Sequence, residues 1–379
     1  MPAMRLLIRT VHRWIAVGLM VLLIPISLSG ALLVWHDAID AIVHPGRYAT
    51  TGGNVALSPS AYLANTASAL ERGVQPFSIR FPAGTGRPVM VSARGGASTE
   101  GGPPRLVTVY LDPPSGRVLD VVDFRSSLVG LVHRFHENLA VPDYSGRQMV
   151  GWAGVGMLIL SLTGLWLWWP RNAFFIGLRW HRSPATTANI HHLVGFWISL
   201  PLALVSASGI YLAFPQAARN AMSSIAAMAP QGVRPGQRVA RDPASTPDQV
   251  LAAALAAEPG ARAVALFMAA PDPRAGDAPV WRVQLRRPAG GRDLAVLVDD
   301  RTRAVSPLPD PLAGDRAAQM IRWIHQGEAD GRLWRSVVYL CGLMPSVLGV
   351  TGIVVWLRGR RQRRLTRSES GAPRFEAAE

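Results

Sequence analysis

Residues 12–30 read HRWIAVGLMVLLIPISLSG, and residues 191–209 read HHLVGFWISLPLALVSASG. Each stretch opens on histidine, runs without a charge after its first two residues, and closes on Ser-Gly, 17 and 18 residues beyond the first histidine. Each is long enough to cross roughly 30 Å of hydrocarbon as a helix. Two further apolar runs, Val150 to Trp169 and Ser336 to Leu357, complete a set of four with Trp14 to Trp35 and Leu193 to Phe214. They repeat one another as well: Leu162-Thr163-Gly164-Leu165 with Trp168 matches Val350-Thr351-Gly352-Ile353 with Trp356. Looking back from those glycines, His136 lies 28 residues before Gly164 and His325 lies 27 before Gly352. The chain therefore reads as two repeated halves, each a helix, an extramembrane module and a returning helix. An even number of crossings per half gives the repeats the same orientation, related by a two-fold axis along the membrane normal.

The fold class expected is an α-helical membrane protein with four transmembrane helices and two small α+β modules. The expected boundaries are 1–13 for a cytoplasmic N-terminus, 14–36 for the first span, 37–148 for the first module and 149–169 for the second span. A cytoplasmic loop follows over 170–189, then the third span at 190–214, the second module at 215–333, the fourth span at 334–357 and a basic tail at 358–379. Arg5, Arg9 and Arg13, then Arg171, Arg179 and Arg182, then Arg358 to Arg367 fall on the short polar ends, so the positive-inside rule puts all three in the cytoplasm. The loops of roughly 110 and 120 residues are expected in the periplasm of a bacterial inner-membrane protein. The first apolar run is too long for a signal peptide, and no A-x-A site follows it.

Within the first module, Pro59 to Arg72 reads as a helix and Phe77 to Phe81, Pro88 to Ala93 and Leu106 to Asp112 as strands. In the second, Pro247 to Ala257 reads as a helix and Ala263 to Met268, Val280 to Arg286 and Leu294 to Asp299 as strands. Gly95 to Pro104 and Pro271 to Pro279 read as turn-rich insertions. Neither module shows a nucleophile with its base, a phosphate loop or a metal-ligand spacing.

Composition narrows the class of function. The 379 residues are 49% hydrophobic, with a net charge of +15 and a mean hydropathy of +0.19. All 39 basic residues are arginine, which fits a codon bias, and no basic stripe interleaves with aromatics on a soluble face, so nucleic acid is not expected as a partner. The lone Cys341 excludes an intrachain disulfide and a thiolate cluster. Most of the twelve tryptophans stand at helix ends, where they anchor in the bilayer interface.

Of nine histidines, four hold repeat-equivalent places: His12 and His191 opening the first and third spans, His136 and His325 just before the second and fourth. His36, His44 and His181 read as ordinary interfacial residues. Ionisable groups at membrane depth are costly and usually functional, and two imidazoles from different helices can clamp a haem in a bundle core. The four are read as axial ligands of two b-type haems, one pair at each membrane face. His133, three residues from His136, and His192, beside His191, remain alternates. His136 and His325 are expected on short surface helices, Ser126 to Asn138 and Asp315 to Gln326, because Pro142 to Gly146 interrupts any continuation into the second span. Gly30 and Gly209 reach the level of one pair, Gly164 and Gly352 that of the other, where small residues let a macrocycle approach the backbone. Arg13, Arg147 and Arg332 stand near the ligands as candidate propionate partners.

The succession His12-Arg13-Trp14, Arg134-Phe135-His136, Ile190-His191 and Ile324-His325 before Gly331-Arg332 resembles the PepSY-associated transmembrane family, which includes iron-regulated membrane proteins and di-haem siderophore reductases. The resemblance covers residues 5 to 358, and the modules then look like PepSY domains. His192 stands where the common pattern has arginine. The resemblance implies a haem-dependent oxidoreductase that reduces a ferric siderophore or other iron chelate at the periplasmic face. Its electrons would come from a quinol or a cytoplasmic reductase, since the chain has no G-x-G-x-x-G fingerprint of its own. A non-enzymatic sensor or peptidase regulator, using the modules to bind peptides, is the alternative. A permease for iron complexes ranks below both, because paired broken helices are missing.

Overall fold

The computed structural model describes residues 2–97, 104–169, 185–229, 239–272, 278–288, 293–328 and 331–370. The chain divides into two compact units, one of Met1–Trp35, Val132–Ala227 and Ala313–Glu379, the other of His36–Leu131 and Met228–Leu312. His181, Arg171, Arg179, Arg182, most of the expected loop at 170–189 and parts of both turn-rich insertions lie outside the described residues.

The first unit is helical. Its long helices are α1 (Pro2–Val34), α5 (Gly146–Trp168), α6 (Thr186–Ala213) and α10 (Gly331–Ser370), and each contains a stretch long and apolar enough to cross a membrane. α1 and α10 run past the apolar segments at Arg5 and Arg9 and at Arg358, Arg360 and Arg361, because arginine is a good helix former. α1 packs on α5 and α10, and α6 packs on the same two helices. The centre of this ring is a core of Leu23, Ala153, Met157, Ile198, Leu202 and Cys341. Buried Ser161 returns its hydroxyl proton to its own helix, at Met157 O, so it leaves no unpaired donor in hydrocarbon.

Arginines fix the ends of the bundle. Arg5 near the start of α1 donates to Leu167 O at the end of α5, at 3.1 Å. Arg335 near the start of α10 donates to Val34 O at the end of α1, at 2.9 and 2.5 Å, and lies over the Trp35 ring at 4.6 Å. Both meet carbonyls that a helix terminus leaves unpaired, where the helix dipole favours a cation. Two short helices complete the unit's site: α4 (Leu128–Asn138) and α9 (Ala313–Gln326), within a few residues of the helices expected from sequence. α4 cannot run on into α5. Leu139, Ala140 and Ser145 take positive φ around a 3-10 turn at Pro142–Tyr144, where proline cannot donate to a helix. α7 (Pro215–Ser223) follows α6 without a sequence expectation.

The second unit contains the modules, and they are not separate. Helices α2 (His36–Val43), α3 (Pro59–Ala67) and α8 (Pro247–Ala257) accompany strands β1 (Val74–Arg80), β2 (Val89–Ala97), β3 (Pro104–Leu111), β4 (Val118–Asp123), β5 (Arg262–Asp272), β6 (Ala278–Arg286), β7 (Leu294–Asp299) and β8 (Val305–Pro307). All eight form one antiparallel sheet in the order β4-β3-β2-β1-β5-β6-β7-β8. β1 and β5 join its halves, with Ser78, Ile79 and Arg80 opposite Phe267, Leu266 and Ala265. As separate modules the halves would expose β1 and β5 as edge strands; pairing these two covers them and leaves β4 and β8 at the ends of the sheet. One core follows, in which Tyr62 and Val250 from the helices meet Ile79, Val91, Leu266 and Trp281 from the sheet. Ser60 N donates to Asp248 at 2.8 Å, linking α3 to α8. Helix α3 is shorter than expected, because turns after Ala67 and a positive-φ Gly73 carry the chain into β1. α2 is tied in by buried Asp40, which pairs with Arg47; Arg47 also meets Asp120 of β4 at 2.6 Å.

Candidate functional site

The four histidines singled out in the sequence all lie in the helical unit, and each touches the Ser-Gly or Thr-Gly pair of a partner helix. On α1, His12 Nδ1 is 2.8 Å from Thr163 Oγ1 of α5. On α6, His191 Nδ1 is 3.0 Å from Thr351 Oγ1 of α10. His12 and His191 are within electrostatic range of each other. The remaining two come from the short helices. His136 Nδ1 of α4 is 2.9 Å from Ile26 O and 3.2 Å from Ser29 Oγ of α1. His325 Nδ1 of α9 is 3.1 Å from Val205 O and 3.2 Å from Ser208 Oγ of α6. Along α1 the two levels, near residues 12 and 30, are about 25 Å apart at 1.5 Å per residue.

These contacts decide where the imidazole protons are. A carbonyl oxygen only accepts, so His136 and His325 must donate from Nδ1. Thr163 Oγ1 lies 2.6 Å from Ile159 O and Thr351 Oγ1 lies 2.7 Å from Val347 O. Each hydroxyl proton is thus committed to its own helix, and His12 and His191 donate from Nδ1 as well. A neutral imidazole with its proton on Nδ1 carries its lone pair on Nε2, so all four rings keep Nε2 available to a metal. Burial, assisted by neighbouring His325, pushes His136 down to about 4; burial likewise lowers His325. Both are neutral at physiological pH.

The ring centroids of His136 and His325 are 6.1 Å apart, inclined at 38°. Imidazole nitrogen binds a metal at about 2 Å, so two imidazoles on opposite sides of one iron have centroids about 6 Å apart. Among the described residues no group of three or more His, Cys, Asp or Glu side chains converges; His136 and His325 meet as a pair of rings. A haem needs no more, because its macrocycle supplies the other four ligands. The donor set, the available Nε2 atoms and the ring separation fit that group.

Each of the four glycines lies against one of the histidines. A Cβ on Gly30 would lie 2.8 Å from His136 Cε1, and one on Gly209 would lie 2.9 Å from His325 Cε1. On Gly164 and Gly352 it would lie 3.3 and 3.2 Å from Cε1 of His12 and His191. The space beside each of the four glycines is occupied by an imidazole from another helix. The alternates are placed elsewhere. His133 is half exposed and lies 3.6 Å from Glu137, and His192 is exposed, whereas His191 turns to Thr351. Of the candidate propionate partners, Arg147 is paired with Glu137 at 2.6 Å and Arg332 is exposed. Arg13 lies beside His12 in sequence with its Nε buried and unpartnered. The sequence reading missed Thr163, Thr351, Ser29 and Ser208 as histidine partners, although their fixed place before each glycine was a signal for them.

A family model described as PepSY-associated TM region matches residues 9–359. No curated protein matches the sequence.

Proposed function

The chain belongs to the PepSY-associated TM region family, and from that membership and its paired histidines we propose that it is a di-haem electron-transfer protein of the bacterial inner membrane. His12 with His191 would hold one haem b, and His136 with His325 the other. Bound haem would supply a one-electron iron couple, and a haem held by two histidines would suit electron transfer better than oxygen chemistry. The observation that carries the reading is the 6.1 Å separation of the His136 and His325 rings, each with Nδ1 engaged by the opposing helix and Nε2 left over.

The chain's own part is to fix imidazole orientation, keep water away and set the direction of transfer. Arg5, Arg9 and Arg13 at the start of α1 and Arg358, Arg360 and Arg361 on α10 favour cytoplasmic termini. His12 and His191 then lie on the inner side and His136 and His325 on the outer side. The four apolar spans support a lipid bilayer as the setting, and the apolar centre between the two levels would keep water from the path. The two halves, with matched histidines and matched partners, read as products of an internal duplication, and the joined sheet as a fused pair of PepSY-like modules.

The substrate in this reading is a ferric siderophore or another iron chelate on the periplasmic side. An electron from a quinol or a cytoplasmic reductase reduces Fe(III) to Fe(II), which the chelate holds far less tightly. The test mixes dithionite-reduced protein with ferric chelates and follows reoxidation, in wild type and in His12→Ala, His191→Ala, His136→Ala and His325→Ala. Each variant is expected to lose the haem of its own pair, and reoxidation to slow at least tenfold. Four variants that keep both haem content and chelate reduction would overturn the reading.

A further inference from the structure

We propose that the hydroxyl residues beside the histidines are positioning residues of unequal weight: Thr163 sets the donor strength of His12, Thr351 shares that of His191 with the Leu348 carbonyl, and backbone carbonyls, not Ser29 and Ser208, set that of His136 and His325. The inference rests on the haem reading above and deepens it. At the first pair Nδ1 faces a threonine hydroxyl, at 2.8 and 3.0 Å, and that hydroxyl is itself turned onto a helix carbonyl; His191 also meets the backbone carbonyl of Leu348. At the second pair the Nδ1 atoms lie nearer to carbonyl oxygens, at 2.9 and 3.1 Å, than to serine hydroxyls, at 3.2 Å in both cases. The serines donate to those same carbonyls, Ser29 to Ile26 O at 2.7 Å and Ser208 to Val205 O at 2.8 Å. Each carbonyl thus accepts from the imidazole and the serine together.

An acceptor on Nδ1–H fixes the tautomer and pushes electron density onto the ring, which strengthens Nε2 as a donor and favours the higher oxidation state of a bound metal. Removing the Thr163 hydroxyl takes away the acceptor of His12, whereas the Leu348 carbonyl remains to His191 when Thr351 loses its hydroxyl. Removing a serine hydroxyl leaves the carbonyl in place and frees one of its lone pairs. His12 is therefore tuned by a side chain, His136 and His325 by backbone, and His191 by both.

The experiment is a redox titration of purified holoprotein followed in the visible spectrum, with haem counted per chain. The two waves are assigned by which one disappears in His12→Ala and in His136→Ala. Thr163→Val and Thr351→Val keep the shape of threonine without its hydroxyl. Thr163→Val is expected to move the His12–His191 wave to higher potential and Thr351→Val to move it less, both leaving the other wave in place, and Thr163→Ser and Thr351→Ser to restore it. Ser29→Ala and Ser208→Ala are expected to leave both waves unmoved. A valine variant that sheds only the haem of the His12–His191 pair, while the serine variant keeps it, also supports the assignment. Threonine variants without effect on that wave or its haem, or serine variants that shift the other as far, overturn it while leaving the haem reading intact. Wild-type protein with no haem and no wave overturns the reading itself, and this inference with it.

Discussion

A methyl group is the distance between a glycine that seats an imidazole and an alanine that evicts it. Added at Gly30 or Gly209 it would meet a histidine carbon at 2.8 or 2.9 Å, closer than carbon atoms approach, while at Gly164 or Gly352 it would meet one at 3.3 or 3.2 Å, which a small shift relieves. Gly30→Ala and Gly209→Ala should therefore displace His136 and His325 and, if the proposed haem is held there, lower its content. Gly164→Ala and Gly352→Ala should retain theirs, and haem-to-chain ratios of the four purified variants check the ranking. Four equal ratios would show that the glycines do not seat the rings. At this scale the sequence was informative because the same residues recur at the same offsets, so His12, His136, His191 and His325 stand out from five other histidines. Less legible was the use of each small residue. Ile26 O and Val205 O act through the main chain, which every residue type carries, and so leave no mark in the sequence.

Turns and caps decide the individual elements of the sheet unit. Asp300, at the end of β7, is buried and accepts from Trp281 Nε1 at 2.8 Å, Ala244 N at 2.7 Å and Ser245 N at 3.1 Å. Asp300→Ala would strand these donors, at a cost of about 3 kcal/mol or more, measurable as a lowered unfolding midpoint in detergent; no change in midpoint would mean that water replaces the carboxylate. One residue earlier, Asp299 accepts from Thr302 N and Thr302 Oγ1, both at 2.7 Å, and the Thr302 N–H bond holds its carboxyl below the ordinary value of 3.8. A group whose folded value is depressed contributes stability that is present above the unfolded value and lost as pH falls through the folded one. The sheet should therefore weaken in acid below about pH 4, and Asp299→Asn should flatten that part of the pH profile. Helices and central strands were readable from their period. β4, with mostly half-buried positions, and β8, three residues long, offer too little alternation to be read locally.

For the molecule as a whole, the joined sheet is the feature that no local pattern foretold, because the pairing of Ile79 with Leu266 spans sequence-distant strands whose register no turn dictates. Leu266 is fully buried at that junction, so Leu266→Ala should cost about 2–5 kcal/mol and weaken hydrogen-exchange protection in strands of both halves. Loss confined to β5–β8 would mean that the halves are stable independently. The helical unit was the more legible of the two. Four charge-poor runs, each followed or preceded by a matched histidine, fix helix number and pairing, and the structure adds the arginine contacts that bind their ends.

The central claim is that these paired histidines hold two haems, and the visible spectrum of detergent-purified protein, oxidised and dithionite-reduced, with haem quantified per chain, tests it most directly. The account predicts two low-spin b haems per chain, one of them lost in His136→Ala. A colourless protein that takes up no added haem would contradict it and turn attention to the sheet as a peptide-binding regulator.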